Sequence, residues 1–119
     1  MIQGLPREVD SECLDVRPAP AVFLRFEAPR VRVALPYASL LMLELALNEE
    51  QLELVFATHR VTVRGRKLAR IYQTISEGAA TQVSAATRPL PTDVKLMPVT
   101  SWVTEIRIEP VENNERSSR

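Results

Sequence analysis

Apolar and polar residues alternate along two segments in the first third of the chain. Residues 22–26 and 31–35 each carry an apolar side chain at every second position. A period of two is typical of a strand with one face on the core. Pro29 ends the first segment, and Pro36, which has no N–H to donate, interrupts the second. We therefore predict two successive strands.

The next segment, residues 37–47, fits two structures. Its Ala, Leu, Met and Glu residues favour a helix, but its leucines at every second position, Leu41, Leu43, Leu45 and Leu47, also fit one face of a strand. We predict a strand and keep the helix as the alternative. In a strand, Leu40 and Met42 would make the opposite face apolar as well, so both faces would need cover. A second subunit or the proline-rich segment 89–98 would supply it.

Residues 52–64 have the pattern of a hairpin. A turn at Thr58 and His59 would pair two sets of apolar residues and one set of opposite charges: Leu54 with Val63, Phe56 with Val61, and Glu53 with Arg64. Cross-strand pairs of this kind contribute roughly 0.2–1 kcal/mol each. Thr and His are poor residues for a two-residue hairpin turn, so a looser loop or one long bulged strand is the alternative.

The hydrophobic period changes after Gly65. Apolar residues then follow at spacings of three and four, namely Leu68, Ile71, Tyr72 and Ile75, and Gly78 occupies the position of a C-terminal cap. We predict a helix over residues 66–77 that lies on the sheet. Residues 81–85 fit a short strand, and residues 102–109 fit a final strand with a charged outer face that ends at Pro110.

These elements predict an α+β fold: a mainly antiparallel sheet of five to seven strands with one helix packed on it. We expect a single domain over residues 20–111. Residues 1–19 contain two prolines, with a third at position 20, and no sustained period, which predicts a flexible or loosely docked arm. The polar residues 112–119 predict a disordered tail.

Composition narrows the class of protein. Apolar residues make up 45% of the 119-residue chain, and its 15 basic and 15 acidic residues cancel, so no overall field favours nucleic acid or an anionic membrane. No apolar run is long enough to cross a bilayer, and the first residues lack the basic start and apolar run of a signal peptide. The single cysteine, Cys13, cannot form an intramolecular disulfide. We expect a cytoplasmic protein with no membrane partner.

One segment concentrates positive charge. Residues 60–70 carry five cations and no acid, and Arg64, Arg66, Lys67 and Arg70 surround the predicted junction of strand and helix. A helix N-terminus favours anions, so these four residues are a candidate anion-binding site for phosphate-bearing ligands or RNA. Four acids lie just upstream, Glu44, Glu49, Glu50 and Glu53, and ion pairing across the sheet would explain the pattern without a ligand. We favour ion pairing.

No combination of residues indicates catalysis, a metal or a cofactor. His59 is the only histidine, so neither a zinc site nor a Cys-His pair has support, and we expect it in a solvated loop. The serines lack a nucleophile-elbow sequence, and three glycines cannot form a phosphate-binding loop. Trp102 with Val99 and Met97 would suit an exposed patch for a partner, although a lone tryptophan is more often part of a core.

The sequence therefore predicts a non-enzymatic module for protein interaction or self-assembly. We expect a homo-oligomer, and binding to a different protein is a further option. The alternative is a binder of phosphate-bearing ligands or RNA. An enzyme is the third hypothesis, because an active site built from residues distant in sequence leaves no short motif to recognise. Among possible partners, nucleic acid is the least favoured, because the basic segment lacks interleaved aromatic residues on which bases could stack.

Overall fold

Strands account for most of the part of the chain that the structure describes. The computed structural model describes residues 8–11, 13–18, 20–87 and 101–111, with the backbone alone for 8–11. These ranges contain one α-helix, α1 (Ala69–Ser76), a single 3-10 turn (Tyr37–Ser39) and nine strands: β1 (Glu8–Ser11), β2 (Leu14–Val16), β3 (Phe23–Glu27), β4 (Arg32–Pro36), β5 (Leu40–Leu45), β6 (Gln51–Phe56), β7 (His59–Arg66), β8 (Ala80–Ser84) and β9 (Trp102–Pro110).

The strands form two sheets. Sheet A has the order β1-β2-β8-β3-β4, and sheet B has the order β5-β6-β7-β9. Neighbouring strands are antiparallel except for β3 and β8, which are parallel. Among the described strands of sheet B, β5 and β9 therefore lie at the two edges.

The buried faces of both sheets and of α1 form one core. In β3, Leu24 and Phe26 point inward, as the period of two requires, and Leu52, Leu54 and Phe56 do the same in β6. The rings of Phe26 and Phe56 meet edge to face with centroids 6.1 Å apart, which joins sheet A to sheet B. Helix α1 contributes its own buried residues, Ile71, Thr74 and Ile75, and Leu68 is buried just before it.

This architecture confirms the predicted fold class, α+β with mainly antiparallel strands and one helix. It differs from the expected single layer, because nine strands divide into a five-stranded and a four-stranded sheet. Strands β3, β4, β6, β8 and β9 lie close to their predicted positions. The predicted connection over residues 89–98 and the predicted tail over 112–119 lie outside the described residues.

Residues 40–45 form a strand, as predicted, and not a helix. The predicted division of its side chains is wrong at three positions. Leu40 lies opposite the buried Phe56 and packs against the core, so it does not share a face with Met42. The pairing of β5 with β6 is irregular between Leu40 and Met42, so Leu41 does not share the half-buried side of Leu43 and Leu45. Leu47 lies in the following turn and is fully exposed.

Helix α1 begins three residues later than predicted. Strand β7 continues through Arg66 because Gly65 and Arg66 pair with Val103 and Trp102 of β9. The helix ends as expected at Gly78, which has a φ of 73°. The Gly78 N–H donates to the Ile75 carbonyl and the Ala79 N–H to the Thr74 carbonyl, both at 2.9 Å, which is the Schellman pattern.

The β6–β7 hairpin exists, but its predicted register is wrong by two residues. Leu54 lies opposite Val61 and Glu53 lies opposite Thr62. The turn is formed by Ala57 and Thr58, and His59 is the first, half-buried residue of β7 and not a loop residue. A shift of two keeps every side chain on its predicted face, because side chains alternate with a period of two.

The described part of the predicted arm, residues 1–19, forms two short strands. Residues 8–11 and 14–16 pair with each other as β1 and β2, and β2 also pairs with β8. Cys13 and Leu14 are buried in the common core. The sequence did not indicate these strands, because three or four residues are too few to show a hydrophobic period. The partner of β2, strand β8, is also distant in sequence.

Candidate functional site

The basic segment spreads over the outer face of sheet B and forms ion pairs there. Nη1 of Arg60 lies 2.7 Å from Oε2 of Glu53, and Nε of Arg66 lies 3.9 Å from Oε2 of Glu50. These contacts support the interpretation that upstream acids balance the cations. Exposed pairs of this kind contribute little, typically below about 1 kcal/mol.

At the junction between β7 and α1, backbone groups of the chain are hydrogen-bonded to neighbouring segments. Lys67 adopts a φ of 53°, and its carbonyl accepts a hydrogen bond from the Ser101 hydroxyl at 2.7 Å. The Leu68 N–H donates to the Glu49 carbonyl at 3.0 Å. Of the predicted anion-site residues, Arg64 and Arg66 are thus on β7, Lys67 is in the junction and Arg70 is in the first turn of α1.

The residues considered for catalysis or metal binding lie apart. Nδ1 of His59 is 2.8 Å from the neighbouring Thr58 hydroxyl. Cys13 is fully buried, and its Sγ accepts a hydrogen bond from the Val103 N–H at 3.3 Å. Within the described ranges, no three His, Cys, Asp or Glu side chains are grouped so that they could hold a metal ion. Trp102 is only 4% exposed, so it belongs to the interior.

Sequence reasoning missed a polar network on the outer face of sheet A. Glu27 accepts a hydrogen bond from the Gln82 amide at 2.9 Å and forms an ion pair with Arg32 at 3.0 Å. These residues and Arg25 line an open depression of about 430 Å³. Its members come from β3, β4 and β8, and the register of β3 against β8 brings Arg25 opposite Gln82. Because β8 is distant in sequence, no local pattern could reveal this cluster.

The entry to β5 is fixed by Tyr37, which sequence reasoning also did not single out. Its hydroxyl donates to the Ala80 carbonyl of β8 at 2.6 Å. Burial raises the pKa of Tyr37 well above the ordinary tyrosine value, because it disfavours the charged phenolate. The side chain is therefore a neutral donor that ties the start of β5 to sheet A.

An apolar surface lies beside Tyr37, where the edge strand β5 meets α1. Leu41 is 69% exposed, Met42 is 45% exposed, and Tyr72 of α1 is 36% exposed. All three line a shallow groove of about 480 Å³. We call Leu41, Met42 and Tyr72 the β5 surface. It combines exposed apolar side chains with a strand edge that pairs with no other described strand, and α1 contacts β5 beside it.

The outer face of sheet B carries an orderly row of charges. Register places Glu44, Glu53, Thr62 and Arg107 side by side across the four strands. Glu44 and Glu53 are directly opposite each other, and like charges in that position are unfavourable. Glu53 contacts Arg60, whereas Glu44 is exposed at the sheet edge.

Within the described residues, no helix has the length and apolar character needed to cross a membrane. Comparison with family models, with curated proteins and with solved structures finds no match to this chain.

Proposed function

We propose that this chain is a cytoplasmic, non-enzymatic protein-interaction module that associates with further copies of itself. The observation that carries the proposal is the β5 surface, where Leu41 and Met42 are exposed on an edge strand. The single cysteine, Cys13, is free and buried, which supports a cellular compartment where structural disulfides do not form.

An exposed edge strand with apolar side chains favours the addition of another strand. Its outward N–H and C=O groups form a template, and natural proteins usually protect such edges with charge, proline or a covering segment. Strand β5 has one charge, Glu44, among its six residues. Burying an apolar side chain contributes about 1.5–3 kcal/mol, against a substantial cost of association, so we expect dissociation constants in the micromolar to millimolar range.

Sedimentation velocity tests this proposal. Between about 10 µM and about 1 mM protein, the weight-average mass should rise above that of the monomer. Replacing Leu41 and Met42 together by lysine should lower the association constant at least about tenfold, because it removes apolar burial and adds repulsion. Val31→Lys is the control, since Val31 is also about half exposed but lies in the connection between β3 and β4 of sheet A. A monomer over the whole concentration range would refute self-association.

Anion binding through Arg64, Arg66, Lys67 and Arg70 is the second candidate. It is favoured by the observation that, in the part of the chain described, no ion pair within 4.0 Å is present at Arg64 or Lys67. A mobility-shift assay with a generic RNA oligomer at low salt tests it. Retardation that is lost in the Arg66→Glu, Lys67→Glu double variant would support this function, and no retardation at tens of micromolar would exclude it.

A further inference from the structure

On the side of β5 that pairs with no described strand, the backbone groups can be assigned from one hydrogen bond. The Ala46 N–H donates to the Gln51 carbonyl at 2.9 Å, which makes that pair a hydrogen-bonded pair of the antiparallel ladder. Because such pairs alternate, Met42 and Glu44 also bond toward β6. The N–H and C=O groups of Leu43 and Leu45 then point away from the sheet.

The same argument applies to β9 at the opposite edge. The Val111 N–H donates to the Thr58 carbonyl at 2.9 Å, so Arg107 and Glu109 bond toward β7. The backbone groups of Ile106 and Ile108 therefore point away from the sheet. The start of this edge is closed, because the Val103 carbonyl accepts a hydrogen bond from the Ala86 N–H at 2.8 Å.

The two edges are complementary in direction. Each neighbouring pair in the order β5-β6-β7-β9 is antiparallel, so β5 and β9 run in opposite directions. A second copy displaced along the sheet would therefore present its β9 antiparallel to β5. The eight strands would continue one regular antiparallel sheet.

We infer that copies of this chain associate head to tail, with β5 of one copy added to β9 of the next, in the register that places Glu44 opposite the partner's Arg107. This inference rests on the self-association proposed above and specifies its geometry. In that register, Leu43 lies opposite the partner's Ile108 and Leu45 lies opposite the partner's Ile106. All four of these residues lie on the inner side of sheet B, so the apolar side also continues across the contact.

The charge of Glu44 favours this register over the others that keep apolar side chains on the inner face. A shift must be by two residues, because a shift by one would exchange the two faces. Either shift by two would place Glu44 opposite a glutamate of the partner, Glu105 or Glu109. The preferred register instead supplies a cation to Glu44, which relieves its unfavourable position opposite Glu53.

The composition of β5 argues against a symmetric pairing of two β5 strands. Residues 40–46 contain no cation, so no symmetric register gives Glu44 a positive neighbour on the added strand. Arg107 is available for a new contact because its pair with Glu105, at 3.5 Å, joins side chains that are 61% and 50% exposed. Head-to-tail contacts leave one free edge at each end and therefore produce rings or filaments.

Cysteine crosslinking tests the register. Glu44→Cys and Arg107→Cys are made in separate chains, mixed in equal amounts and oxidised mildly. In the inferred register these positions form a non-hydrogen-bonded pair with Cα atoms about 4.5 Å apart, within disulfide range. We expect a crosslinked dimer that contains one chain of each kind, identified by intact mass. Native Cys13 is buried, and the unmodified protein is the control for it.

The shifted pair is the matched control. Glu105→Cys mixed with Glu44→Cys should lose most of the crosslinked product, because the diagonal Cα distance of about 7–8 Å is too long for a disulfide. If Glu44→Cys alone crosslinks as efficiently as the mixture, the contact is symmetric and the inference is overturned.

Charge reversal provides an independent readout that does not need oxidation. Glu44→Arg alone and Arg107→Glu alone should each weaken self-association about fivefold, while an equal mixture of the two should recover it. Arg25→Glu, at an exposed position on sheet A, should have no effect. If the unmodified protein associates but neither the mixed crosslink nor the charge recovery is seen, this register is wrong and self-association stands. If the unmodified protein remains monomeric, the proposed function itself fails.

Discussion

Gly65 lies at the irregularity where β7 pairs with β9, and its lack of a side chain allows the two backbones to meet. A Cβ atom placed on Gly65 would collide with the Trp102 carbonyl oxygen and lie within 3.0 Å of the Val103 Cα. Both of these neighbours are backbone atoms that cannot move without breaking the ladder. The residue is therefore required for steric reasons.

We predict that Gly65→Ala lowers the free energy of unfolding by about 2–3 kcal/mol, because the new methyl group must displace strand β9. Urea denaturation followed by Trp102 fluorescence measures the change. Gly78→Ala is the informative comparison, since a Cβ there meets nothing within 4 Å but the φ of 73° disfavours a side chain. That variant should cost only about 1 kcal/mol. Equal stability of Gly65→Ala and the unmodified protein would contradict this packing.

The β6–β7 hairpin shows how far a local pattern determines an element. Alternation correctly predicts both strands and the faces of Leu54 and Val63, because buried apolar residues recur at every second position of each strand. It does not determine register, since a shift by two residues leaves those faces unchanged. Glu53 could meet Arg64 or Arg60 with the same gain in charge pairing, and only the structure shows that Arg60 is the partner.

A double-mutant cycle distinguishes the two registers. Glu53→Gln and Arg60→Gln should show a coupling energy of about 0.5 kcal/mol in urea denaturation, because their ion pair is 2.7 Å long and Glu53 is partly buried. Glu53→Gln with Arg64→Gln should show a coupling near zero. The reverse result would support the register predicted from sequence.

The elements that sequence could not predict depend on partners far along the chain. Strand β2 has three residues, and its pairing with β8 joins Leu14 to Val83. Neither strand shows enough of a pattern alone to reveal the pair. The predicted helix start is wrong for a similar reason, because Arg66 is held in β7 by its pairing with Trp102 of β9. The β5 surface was partly predictable, since the leucine pattern required a cover for exposed apolar side chains, but its edge position depends on the order of sheet B.

At the scale of the whole molecule, hydrogen bonds around Cys13 and Val103 join the two sheets beside their common core. The Ser84 N–H donates to the Cys13 carbonyl at 2.9 Å, within sheet A. The Val103 N–H of sheet B donates to Cys13 Sγ, and the Ala86 N–H donates to the Val103 carbonyl. Cys13 is therefore placed where separation of the sheets would expose it.

We predict that Cys13 reacts with a thiol reagent only when the sheets separate. Because the side chain is fully buried, labelling in the native state should be at least about a thousandfold slower than labelling of Arg25→Cys, an exposed position on β3. The measurement follows the reaction with Ellman's reagent at increasing urea concentrations, with a Cys13→Ala background for the Arg25→Cys control. The opening free energy obtained from labelling should equal the free energy of global unfolding, because the core that joins the sheets is a single cluster that includes Phe26, Phe56 and α1. Rapid labelling under native conditions would show instead that the segment around β2 separates from sheet B on its own, and the two sheets would then be independent units of stability.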